Sequence, residues 1–160
     1  MIVKIKKLTR SAKMPTRNNE EDAGFDVYVD GFQRWNDITE KNQIYENTKE
    51  MQIHDRWTVG CKTGLAIEVP NGHYLKVVPR SGTAYKHGIT VVNSPATIDA
   101  GFRDEVVIGL VNSTKTPYTV KIGDRIAQLI LRKLVKTEYV EVDELSDSKP
   151  GEKGFGSSGR

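Results

Sequence analysis

The apolar residues of this chain recur at every second position. In GLAIEV, residues 64–69, Leu65, Ile67 and Val69 share one side, and in YLKVV, residues 74–78, Leu75 and Val77 do the same. A period of two belongs to half-buried β-strands, because successive side chains leave a strand on opposite faces. EVVIGLV, residues 105–111, is apolar on both faces, as an interior strand would be. YTVKI, 118–122, alternates again before a Gly123-Asp124 turn and the β-rich run RIAQLILRKLV, 125–135. Pro70 to Gly72 reads as a turn joining the first two runs into a hairpin, and further strands are expected at 2–8, 24–29 and 138–142. Apolar residues nowhere hold helical spacing over several turns, so only a short helical turn near 81–87 is expected. Many short strands separated by turns predict an all-β barrel or sandwich.

At 160 residues the chain fits one domain. Residues 31–50, GFQRWNDITEKNQIYENTKE, break the alternation and read as an inserted polar loop. An acidic stretch from Glu138 to Asp147 leads through Lys149 and Pro150 into a Gly/Ser-rich tail, GEKGFGSSGR, 151–160. The expected division is a β-barrel domain over 1–148 and a flexible arm over 149–160. Gly154, Gly156 and Gly159 match G-x-G-x-x-G, but no strand precedes them and no helix follows, so the dinucleotide reading fails. No run approaches the roughly 20 apolar residues of a membrane span. MIVKIKKLTR sets lysines inside its apolar stretch, unlike a signal peptide. A single cysteine, Cys61, builds no disulfide framework and there is no Cys/His cluster for zinc, which points to a reducing, cytoplasmic setting. The net charge of +3 is spread along the chain, which permits an anionic ligand and argues against direct nucleic-acid binding.

Four stretches carry candidate chemistry. In PRSGTAYKHG, 79–88, Arg80, Ser81 and Gly82 offer a cation, a hydroxyl and an unobstructed amide where a strand gives way to a helical turn, a favourable place for phosphate. A polar turn with a capping serine is the plainer reading. In NSPATIDAGFRDEV, 93–106, Asp99 precedes the small Ala100 and Gly101, which leave space beside its carboxylate, and Phe102 can pack against a ligand. In GDRIAQLIL, 123–131, Gln128 is an amide in an apolar strand, and in AGFDVY, 23–28, Asp26 is a carboxylate among apolar residues. If buried, each of them needs partners.

In this order, AGFDVY, PRSGTAYKHG, NSPATIDAGFRDEV, GDRIAQLIL and GEKGFGSSG (151–159) resemble the five motifs of the trimeric dUTPase family. The resemblance covers nearly the whole chain except 31–50. It implies a distorted jelly-roll-like β-barrel of the dUTPase type, assembled as a homotrimer with active sites at subunit interfaces. It implies hydrolysis of dUTP to dUMP and pyrophosphate, which limits uracil incorporation into DNA. Arg80, Ser81, Gly82 and Gln128 stand at the phosphate cradle. Asn93, Thr97 and Ile98 stand at the uracil hairpin, Asp99 at the general base, and Asp26 at a supporting acid with no direct ligand role. Phe102 takes the place of a tyrosine under the deoxyribose. In the arm, Phe155 stacks on uracil while Gly156, Ser157 and Ser158 meet the phosphates. Mg²⁺ is implied as cofactor, held by the triphosphate and waters rather than by protein ligands.

The chain departs from the family's pattern at Ala96 and Asp104, which replace glycines, and at Pro150, which replaces an arginine that reaches the γ-phosphate. Lys149, one residue away, is expected to take over part of that contact. Two alternatives are weighed: a dCTP deaminase, which the GFGSSG arm argues against, and a regulatory binding protein that meets its protein partner through the 31–50 insertion with Trp35 and Tyr45.

Overall fold

The computed structural model describes residues 1–147. Within them the order is β1 (Lys4–Lys7), β2 (Phe25–Tyr28), β3 (Gly31–Asn36), β4 (Lys41–Tyr45), β5 (Glu50–Ile53), β6 (Thr58–Glu68), β7 (His73–Pro79), α1 (Ser81–His87), β8 (Ile89–Val91), β9 (Ala96–Asp99), β10 (Glu105–Asn112), β11 (Tyr118–Lys121) and β12 (Arg125–Lys133). The fold is all-β, as the period of two requires, and α1 lies where the one helical turn was expected. Three sheets enclose a common core. One has the order β4-β3-β6-β10-β8 with β1 also on β6, one has the order β2-β12-β7-β9, and β5 pairs with β11. The arrangement is jelly-roll-like, and among the described residues the three ladders remain separate instead of closing into one continuous barrel.

Strand β6 organises the larger sheet. Its first half pairs with β3, its second half pairs with β1 on the same edge, and β10 lines the opposite edge. The two halves meet at Gly64, whose φ of +65° is open to glycine at little cost. A Cβ there would lie 2.6 Å from Asp30 Oδ2 and 2.8 Å from the Ala12 Cβ, so the close approach excludes any side chain. Leu65, Ile67, Ile108 and Leu110 of this sheet and Val27, Leu75, Val77, Ala127 and Leu129 of the four-stranded sheet are buried in one cluster. Cys61 belongs to it, and burial first, then nearby Asp124, pushes its thiol up to about 12. The buried Asn112 is fully satisfied, donating from Nδ2 to the carbonyls of Ile53 and Thr116 at 2.8 Å.

Three expectations are corrected. The Pro70–Gly72 turn does not close a hairpin: β6 and β7 lie in different sheets, because both edges of each are already paired. The turn therefore carries the chain across the core. Residues 31–50 are not a loop, since β3 and β4 form a hairpin docked on β6 through Phe32 opposite Cys61. Its tip is fixed by Asn36, whose Oδ1 accepts from the N–H groups of Ile38 and Thr39. Residues 138–142 form no strand; Tyr139 and Val140 are exposed, and no sheet edge of the described chain pairs with them.

Phe32 is fully buried whereas Ile38 at the hairpin tip is 94% exposed. Phe32→Ala is expected to lower stability by about 3–5 kcal/mol in chemical denaturation. Ile38→Ala is expected to stay within about 0.5 kcal/mol of the parent. Equal effects from the two would return the segment to a loop.

Candidate active site

The four-stranded sheet sets β2, β12 and β7 side by side, with Gln128 opposite Asp26 on one flank and Val78 on the other. Asp26 is 7% exposed, and its backbone is pinned on the far edge by paired hydrogen bonds with Thr16. A buried carboxylate needs cationic or N–H partners, and it has three. Arg80 donates from Nε to Oδ1 at 3.0 Å, Gln128 from Nε2 to the same oxygen at 3.2 Å, and Arg125 from Nη1 to Oδ2 at 3.1 Å. The set carries one negative and two positive charges, so it keeps a net positive charge and unspent N–H donors. That combination suits a phosphate oxygen.

Gly24 makes room for this arrangement. A Cβ on it would lie 3.1 Å from the Gln128 Cβ and 3.2 Å from its Oε1, so any larger residue presses Gln128 off its position. Arg80 caps α1 in an extended conformation, and Ser81 and Gly82 follow it, both exposed, with no carboxylate in the first turn. Beside them the Tyr118 ring packs on His87 at 5.3 Å between centroids. Burial chiefly, with Asp124 adding to it and Arg80 opposing, raises the Tyr118 phenol above its usual range.

A second group forms around β9. Asn93, Thr97, Ile98, Asp99 and Phe102 line one cavity of about 190 Å³ floored by Val77, Val91, Val106 and Ile108. Thr97, Asp99 and Phe102 are exposed, while the Ile98 side chain belongs to the core, leaving only its backbone for a ligand. The turn after β9 is tied twice. The Phe102 N–H donates to the Asp99 carbonyl at 3.1 Å, and Arg103 Nη1 donates to the carbonyls of Ala100 and Phe102 at 2.6 and 2.8 Å. Two larger cavities, of about 460 and 470 Å³, flank the β3–β4 hairpin; Tyr45 lines the first and Trp35 the second, and neither contains Asp26, Arg80, Asp99 or Gln128.

The carboxylate of the second group and the arginine of the first lie at opposite ends of β7. Asp99 pairs with Tyr74, and Arg80 follows Pro79, so six residues separate them along the strand, roughly 20 Å at about 3.3 Å per residue. Arg125, Gly24 and Arg103 are the functional candidates that the sequence reading missed. Lys149, Phe155, Gly156, Ser157 and Ser158 lie outside the described residues. Among the described residues no three His, Cys, Asp or Glu side chains group as a metal site. No described helix is long and apolar enough to cross a membrane.

The dUTPase family model matches residues 45–159. A deoxyuridine 5'-triphosphate nucleotidohydrolase of Nautilia profundicola is 39% identical over 162 residues, covering all of both chains. The dUTPase of Staphylococcus bacteriophage 80alpha, in a structure with dUPNHPP, superposes with a TM-score of 0.75 at 26% identity and 99% coverage of each chain. A mutant dUTPase from phage phi11 of S. aureus, in a structure that reveals coordination of a structural Mg(II) ion, superposes with a TM-score of 0.71 at 20% identity, covering 90% of this chain and 98% of its own.

Asp26→Asn keeps the shape of the central side chain but removes the charge that two guanidiniums share. A charge-assisted hydrogen bond is worth about 1.5–3 kcal/mol, and a loss of that order is expected in the unfolding free energy. Unchanged stability would show that the two arginines find other partners.

Proposed function

The chain belongs to the dUTPase family, and from that premise we propose how its own residues hydrolyse dUTP to dUMP and pyrophosphate. The observation that carries the reading is the pairing of a small cavity ending in an exposed carboxylate with a separate cationic cradle built on Asp26. The cavity receives the uracil, where Asn93 and the backbone of Thr97, Ile98 and Asp99 offer donors and acceptors to the pyrimidine edge. Phe102 supplies an apolar plate under the deoxyribose. Asp99 orients a water and takes its proton as the oxygen attacks the α-phosphorus in line, with pyrophosphate leaving on the opposite side. A carboxylate is a weak base, so positioning and charge neutralisation supply much of the rate.

Arg80 and Gln128, held by Asp26, and the hydroxyl and amide of Ser81 and Gly82 bind the phosphates. Phe155, Gly156, Ser157 and Ser158 close the arm over the nucleotide, with Lys149 toward the γ-phosphate. Asp26 spends both of its oxygens on Arg80, Gln128 and Arg125, so it is not free to ligate a metal. The residues present fit a Mg²⁺ carried by the triphosphate and waters, which neutralises phosphate charge when bound. A cytoplasmic setting fits a nucleotide-pool enzyme.

The roughly 20 Å between Asp99 and Arg80 exceeds the length of a triphosphate. One copy therefore offers the base pocket and another the cradle, which supports the expected homotrimer with sites between subunits. A second role is supported by the β3–β4 hairpin, where Trp35 and Ile44 are about half exposed and Ile38 almost fully so. That apolar tip fits a regulatory protein partner.

Asp99→Asn is expected to bind nucleotide within about tenfold of the parent while turnover falls by roughly 10²–10⁴. Turnover close to the parent's would remove Asp99 from the role of base. Mixing inactive Asp99→Asn subunits with inactive Arg80→Ala subunits should restore activity, with roughly a quarter of randomly assembled sites intact. No recovery from mixed oligomers would mean that each site is built within one chain.

A further inference from the structure

Strand β12 is not regular where it meets β2. Gln128 pairs with Asp26 and Ala127 with Val27, but the next pair is Arg125 with Tyr28. One residue, Ile126, is extra on β12, which makes this a β-bulge. The consequence follows from the two-residue period of a strand. In a regular ladder, 126 and 124 would share a face with Gln128 and Asp26, and 125 would point to the core beside Ala127. The extra residue shifts the parity, so Ile126 and Ala127 are both buried while Arg125 emerges on the face of Asp26. There Arg125 takes the one carboxylate oxygen that Arg80 and Gln128 leave free. Its side chain stays 40% exposed, compared with 27% for Arg80 and 9% for Asp26.

We propose that Arg125 is a positioning residue of the phosphate site, aimed by the bulge at Ile126 so that it locks the Asp26 carboxylate and thereby fixes Arg80 for the triphosphate. A carboxylate gripped on one oxygen only can rotate about its Cβ–Cγ bond. Gripped on both, it holds the Arg80 guanidinium by Nε alone, and both Arg80 Nη groups remain for oxygens of the substrate. Arg125 also offsets the anion that Arg80 would otherwise neutralise by itself. The proposal rests on the reading of Arg80 as a phosphate ligand.

The test compares the parent with Arg125→Gln, Arg125→Lys and Arg80→Gln, as full chains with dUTP and Mg²⁺, using dUMP inhibition as the control for binding without the outer phosphates. For Arg125→Gln the KM for dUTP should rise roughly tenfold, the loss expected for one charge-assisted contact. Its kcat should stay within about threefold and dUMP inhibition should be nearly unchanged, because Arg125 acts through Asp26 and the outer phosphates. Arg125→Lys should recover part of the KM, since it keeps the charge but not the fork. A thermal midpoint close to the parent's keeps these changes apart from misfolding. Parent-like KM in Arg125→Gln, or equal losses for dUTP and dUMP, would overturn the proposal. If Arg80→Gln loses dUTP binding while Arg125→Gln does not, the positioning role alone fails. If Arg80→Gln also behaves like the parent, the cradle itself fails and takes the proposal with it.

Discussion

One carboxylate holds the cationic cradle of this molecule together. Asp26 sits on β2, the edge strand of the four-stranded sheet, nearly excluded from solvent, and is bound by groups from the end of β7 and from two positions of β12. Burying it alone would be costly, and two guanidiniums and an amide offset much of that cost. The same contacts bring two cations together without direct repulsion deciding their positions. The cradle is thus a by-product of satisfying the acid: the donors needed to keep Asp26 in the sheet outnumber its charge, and the excess is positive and faces outward. Gly24, which a Cβ would push against Gln128, belongs to the same unit although it bears no functional group.

Strand β7 explains why Asp99 and the cations around Asp26 are far apart. It pairs with β12 on one edge and β9 on the other, so both groups are registered against the same rod. That gives each group a precise place and keeps Asp99 away from Arg80 within one chain. A site that uses both groups, as proposed, brings the β9 end of one copy to the β12 end of another. Both ends are accessible, with Asp99, Phe102, Ser81 and Gly82 exposed in the single chain.

Much of this was legible in the sequence, for identifiable reasons. The strands that form the core show their period of two because one face of each is buried, and Asp26 and Gln128 stood out as polar residues in apolar strands. Asp99 and its small neighbours marked the turn after β9. Arg125 was not legible, because its orientation depends on a bulge, and the residue period gives no sign of one extra residue. The β3–β4 hairpin was missed for a different reason. Apart from Phe32 its residues are half-buried or exposed, so no apolar alternation exists; β3 is held by backbone pairing to β6, and β4 by pairing to β3. The Pro70–Gly72 turn looked like a hairpin because local sequence records a reversal but not which sheet receives the next strand.

The placement of that hairpin accounts for its compatibility with the chemistry. It occupies the edge of β6 next to β1, anchored by Phe32 against the core, and all of its cross-strand pairing stays in the larger sheet. The four-stranded sheet, which carries Asp26, Arg80, Arg125, Gln128 and Asp99 in or beside its strands, makes no strand pair with it. An addition at a sheet edge leaves the registers of the other sheet untouched, so the β2-β12-β7-β9 ladder keeps the spacing of its functional groups whatever length the hairpin has. The cost is a new edge at β4, and every residue of β4 except Tyr45 is exposed. Lys41 and the polar Asn42 and Gln43 lie along it, which discourages pairing with another strand. The chain can therefore vary on this side of β6 while the electrostatics around Asp26 remain fixed.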